Sequence, residues 1–221
     1  MRIANIDYSR CDSIAADDEP VKEVHYNVNL SHAHELEYLI NLSKQDRVIG
    51  GKHLALADGG ANGLIIGLDM LILYFNSDGK RVSIGIVGDH QLTGNRLCCG
   101  CSVAKSSHGW IKLLWPQGAQ VKTQQNSILS IVQMRDNGCL VNDVAKAHGG
   151  TQMIMTPNGV RLPLVIKNGL PYLEHYYPTA KQMEEITLEE FMTAKTTWDP
   201  SKLDDFEGAS DLSIRQFPRL L

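Results

Sequence analysis

The sequence predicts an all-β core flanked by short helical pieces, and two observations point to it. Runs such as "MLILYF", "RVSIGIV", "WIKLLW", "NSILSIVQM", "GTQMIMT" and "VRLPLVI" are short and rich in β-branched, leucine and aromatic residues. Between them stand "NSDGK", "PQG", "RDNG" and "PNG", the Gly, Pro and Asn punctuation of tight turns. At 221 residues the chain can bury a core as one domain with extensions, or as two small ones.

Residues 1–50 read as a polar arm and a short helix. The first part is acidic and carries few large apolar side chains before "VHYNVNL", so part of it is expected to be loose. Ser31 then offers a cap for "SHAHELEYLINLSKQ", where Leu36, Leu39, Ile40 and Leu42 fall at roughly helical spacing until "VIGGKH" ends it. Residues 51–175 read as the β domain. Within it Asp78-Gly79 should join "MLILYF" to "RVSIGIV" as a hairpin, and "MIMTPNGVRLPLVI" is again strand, turn, strand. Residues 176–221 read as a helical extension and tail. Behind Pro178, Thr179 with Gln182 and Thr187 with Glu190 both have capping-box spacing, whereas "FEGASDLSIRQFPRLL" has no clear period.

Composition narrows the function. A net charge of -4 with scattered Lys and Arg leaves no basic footprint, which argues against direct nucleic-acid binding. Five cysteines, three of them crowded into "LCCGC", do not read as a disulfide framework. The opening residues lack the apolar core of a secretory signal, and no run is apolar for long enough to span a bilayer. A reduced, cytoplasmic setting without membrane attachment is the expectation.

One stretch carries chemistry. In "LALADGGANG" a strand-like run stops at Asp58 and is followed by Gly59, Gly60 and Ala61, which places a carboxylate at the mouth of a turn whose glycines admit close backbone approach. Two such carboxylates a few ångströms apart cannot both ionise, so one keeps its proton and the other serves as base toward a water held between them. The sequence writes this turn once, so a second acid would come from a two-fold-related copy. The plain alternative is an Asp-Gly turn with no chemistry, as at Asp78.

The blocks "LADGGANG", "VGDHQLTG", "GGTQMIMTPNGVRLPLVIKNGLPYL" and "TTWDPSKLD" resemble, in order and spacing, the protease region of copia-type retrotransposon Gag-Pol polyproteins of microalgal type. The resemblance spans about residues 53–205. It implies a retropepsin-like β barrel, active as a homodimer on peptide or polyprotein substrates, needing no cofactor, with Asp58 catalytic and Gly59, Gly60 and Ala61 completing its loop. It also implies an apolar pair followed by glycine that supports the loop, for which "VIKNGL" with Gly169 is the nearest match. A flap should close over the substrate, and "SSHGWIKLLWPQGAQVKTQQ" with Gly118 at its tip is the candidate. The chain departs from the family at Gly59, where retropepsins carry a Ser or Thr whose hydroxyl stiffens the loops across the dimer.

Other clusters are weaker. Asp89 and His90 suit a base with its orienter, half a metal site, or a hydrogen-bonded loop that supports the acid turn. His32 and His34, with Glu35, stand two apart and diverge on a helix. Cys98, Cys99 and Cys101 are too close together for a zinc site and read as a buried strand end, with Cys139, His108 and His148 as remote partners at most. "AHGGTQ" reads as a turn. No Gly-x-Ser-x-Gly elbow occurs, and no local signature surrounds any cysteine. The reading is therefore metal-free: an aspartic endopeptidase of a retroelement, with a silent retropepsin-shaped binding or dimerisation module as the alternative.

Overall fold

A computed structural model describes residues 24–27, 51–86 and 90–203 of the chain. The helix expected from Ser31, residue Asp89 and the tail beyond residue 203 lie outside the described residues, as does the His90 side chain. The described part is all-β in character, a 13-stranded sheet with two short α-helices.

The strands are β1 (Val24–Asn27), β2 (Lys52–Asp58), β3 (Ile65–Ile66), β4 (Leu71–Phe75), β5 (Arg81–Ile86), β6 (His90–Ser106) and β7 (Gly109–Gln120). There follow β8 (Ile128–Ser130), helix α1 (Ile131–Asp136), β9 (Leu140–Asn142), β10 (Met153–Met155), β11 (Arg161–Lys167), β12 (Leu170–Tyr176), helix α2 (Ala180–Glu185) and β13 (Glu189–Phe191). Their order across the sheet is β1-β5-β6-β7-β3-β8-β2-β12-β11-β10-β9, with β4 on β6 and β13 on β7. Tyr176 of β12 also pairs with Val103 of β6, which closes β6, β7, β3, β8, β2 and β12 into a ring. Inside it Leu64, Ile66, Ile111, Leu113, Trp115, Leu129 and Ile131 are fully buried, which is the main apolar driving force for closing the sheet.

One expected strand, turn, strand unit forms, and a second hairpin appears where loop support was expected. Met153–Met155 pairs antiparallel with Arg161–Lys167 across the Pro157-Asn158-Gly159 turn. Leu170–Tyr176 pairs with Arg161–Lys167 across Asn168-Gly169, whose φ values of 51° and 83° are those of a two-residue hairpin turn. The hairpin expected around Asp78-Gly79 does not form. β4 and β5 instead lie one after the other along β6, β4 opposite Cys98–Cys101 and β5 opposite His90–Arg96. A 17-residue strand offers both of them more ladder than they offer each other.

Two further expectations are corrected. "NSILSIVQM" is half strand and half helix, because Ser130 caps α1 by accepting the Gln133 N–H. Thr179 and Gln182 do form a full capping box on α2, whereas Glu190 runs in β13, parallel to β7. Its buried carboxylate takes both hydrogen bonds from Asn158 Nδ2 and does not turn back toward Thr187. The segment after residue 176 is thus part of the sheet as well as a helical extension: Met192 belongs to the main core and Trp198 to the second apolar cluster, around Leu56, Ile65 and Tyr172. No helix among the described residues is long and apolar enough to cross a membrane.

Candidate active site

Strand β2 delivers Asp58. Its residues Ala55, Leu56 and Ala57 are buried and anchor the strand, Asp58 is half-buried at its end, and Gly59 and Gly60 are exposed. The carboxylate Oδ1 accepts the Gly60 N–H at 2.7 Å, an Asx-type contact that fixes the start of the turn. A side chain at Gly59 would meet no atom within 4 Å, and its backbone is outside the left-handed region, so nothing in the chain demands glycine there.

β8 lies parallel to β2 and brings Ser130 level with Asp58. The Ser130 hydroxyl donates to Ala61 O at 2.6 Å and accepts the Gln133 N–H at 3.1 Å. Gln133, in the first turn of α1, accepts the Leu64 N–H at 2.9 Å through Oε1 and donates to Gln117 O at 3.4 Å through Nε2. From the far end of the chain, Trp198 Nε1–H donates to Asn62 O at 2.6 Å. Residues 58–64 therefore hold one shape through these bonds and through the Ala119 N–H, which donates to Leu64 O at 2.8 Å; all but the Asp58–Gly60 contact come from distant segments. Ser130, Gln133 and Trp198 lie in stretches the sequence marks as strand or as part of the resemblance, not as site residues. The signal for the first two was present as Ser-x-x-Gln, the same capping spacing recognised at Thr179.

The loop-support expectation at Gly169 is corrected. Gly169 is the second residue of the β11–β12 hairpin turn, a purely local role. The apolar pair beside the acid strand is Ile128-Leu129, and the residue after it is Ser130 instead of glycine.

The flap-tip expectation at Gly118 is corrected as well. Pro116-Gln117-Gly118 is no hairpin tip but a bulge inside β7, where the register against β6 shifts between Cys98 and Gly100 and Gln117 takes a φ of 60°. Gly118 and Gly100 leave room for Ile66: a Cβ on Gly118 would come within 2.4 Å of the Ile66 side chain, and one on Gly100 within 2.8 Å. The β6–β7 hairpin turns instead at Ser107-His108, where the His108 N–H bonds Ser106 Oγ.

A second carboxylate lies eleven residues on and is committed elsewhere. Asp69 is buried and accepts Ser127 Oγ–H at 2.6 Å, the Ser127 N–H at 2.9 Å and His175 Nε2 at 3.1 Å. The Ser127 hydroxyl in turn accepts the Gly67 N–H, so the cluster ties β12 and the approach to β8 to the turn after β3. Ser127 donates to Asp69 and not to His175, so this is a brace, not a nucleophile with its base.

The cysteines are thiols of the interior. Burial pushes Cys98 and Cys101 up to about 12, Cys139 up to about 11 and Cys99 upward too, the opposite of what a nucleophile or metal ligand needs. "LCCGC" runs through the middle of β6, not at a strand end. Among the described residues no group of three His, Cys, Asp or Glu side chains gathers to hold a metal ion. Comparison of the chain with models of known protein families, with curated proteins and with solved structures finds no significant match.

Proposed function

We propose that the chain is an aspartic endopeptidase that acts as a homodimer, of the retropepsin type carried by copia-type retrotransposon polyproteins. The observation that carries this reading is the Asp58 turn: a half-buried acid at a strand end beside two exposed glycines, on a loop fixed by Ser130, Gln133 and Trp198. A closed ring of strands and an apolar pair running parallel to the acid strand support the same reading.

In the proposed mechanism two Asp58 carboxyls share one proton across the two-fold axis. The ionised carboxylate takes a proton from the water between them as its oxygen adds to the peptide carbonyl carbon, and the protonated partner gives its proton to the carbonyl oxygen. The resulting gem-diol collapses with cleavage of the C–N bond. A proton passes to the leaving nitrogen, and the dyad returns to a single shared proton. Substrate reaches the dyad along the exposed Gly59-Gly60 backbone, where no side chain stands in its way.

The alternative, a catalytically silent binding or dimerisation module, draws on the Oδ1 to Gly60 contact, which an ordinary Asx turn makes too. Replacing Asp58 with Asn separates the two. The isosteric amide keeps the turn but cannot act as base, so cleavage of a peptide library or of a precursor should fall by several orders of magnitude, with stability nearly unchanged. Cleavage at the wild-type rate by Asp58→Asn rejects the peptidase reading.

A further inference from the structure

We propose that Ser130 is a positioning residue that supplies, from within one chain, the hydroxyl support for the acid turn. This rests on the reading of Asp58 as a peptidase acid, though the contact it invokes can be tested without activity.

The hydroxyl uses both of its capacities. A helix cap requires only an acceptor, and Ser130 Oγ meets that need by taking the Gln133 N–H at 3.1 Å. With its oxygen engaged there, its proton is aimed at Ala61 O, 2.6 Å away, in a site where Ser130 is 1% exposed. Gln133 grips the other end of the same segment through the Leu64 N–H. The first turn of α1 thus clasps both ends of residues 61–64, and the β2–β8 register holds Ser130 level with Asp58. Gly59, beside the acid, has open space and no hydroxyl to offer. Loop geometry is therefore set before two chains meet, and a hydroxyl at position 59 is dispensable.

Amide exchange of the full chain tests this at Gly60 and Leu64, whose N–H groups donate to Asp58 Oδ1 within the turn and to Gln133 Oε1 on α1. Ser130→Ala orphans a buried carbonyl, and exchange at these two amides should rise roughly tenfold or more. Thr179→Ala removes the cap of α2 and should leave both amides as in wild type, whereas Ser130→Thr should restore slow exchange. Where Ser130→Ala does not fold, Ser130→Cys serves, because a thiol is a weak donor. Faster exchange at Gly60 and Leu64 supports the clasp; exchange no faster than in Thr179→Ala overturns it. On a cleaved peptide, Ser130→Ala should lower kcat with KM held. An inactive wild type with the exchange effect intact would end the peptidase reading and leave the clasp. A working Asp58 with unchanged exchange would end the clasp alone.

Discussion

Gly59 follows the acid with open space around the position of its missing Cβ and with a backbone that any residue adopts. Gly59→Ser should therefore change the unfolding free energy, read from urea titration, by less than about 1 kcal/mol; a larger loss would mean that the turn needs glycine after all. The buried thiols give a second outcome at this scale. Cys98 and Cys101 sit near 12 and Cys139 near 11 in the folded chain, against 9.0 when unfolded, each because burial disfavours the thiolate. Their contribution to stability is whole below pH 9 and is lost as pH rises toward 12, at roughly 1.4 kcal/mol per pH unit for each thiol that ionises on unfolding. Peptide mapping after iodoacetamide treatment at pH 8 should find these three unmodified in the native protein, and labelling there at the rate of the unfolded chain would contradict their burial.

At the scale of elements, what the sequence made legible was local. Asp58-Gly59-Gly60 after an apolar run marks a strand end wherever the strand goes, and Asn158-Gly159 writes its turn in adjacent residues, whereas Asn168-Gly169, expected as loop support, proves to be an equally local turn. The misread elements were decided by distant partners. Pro116-Gln117-Gly118 has turn chemistry, yet the long β6 ladder absorbs it as a bulge because Ile66 needs the space over Gly118. "NSILSIVQM" has strand composition throughout, yet Ser130 divides it by capping α1 while the same hydroxyl bonds Ala61, 69 residues away. Gly118→Ala decides between the two views of that segment. At a mobile tip the extra methyl would be neutral, whereas against Ile66 it should cost about 1–3 kcal/mol. An unchanged urea midpoint would restore the flap.

At the scale of the whole molecule, the residues after α2 belong to the structure of the site, because Trp198 reaches Asn62 and β13 extends the sheet beside β7. The all-β class was legible from short apolar runs alone, since strand identity depends on composition and turn spacing. The ring closure at Tyr176 and Val103 was not, since register between strands 73 residues apart leaves no local mark. The proposed peptidase turns on whether cleavage needs two Asp58 carboxyls, one from each chain. Wild-type and Asp58→Asn chains, unfolded and refolded together at fixed total concentration, measure this directly through the rate of peptide cleavage. With a shared dyad the rate follows the square of the wild-type fraction, so an equal mixture keeps roughly one quarter of the activity. A rate that falls linearly with the wild-type fraction, or cleavage that persists with Asp58→Asn alone, would contradict a dyad built from two chains.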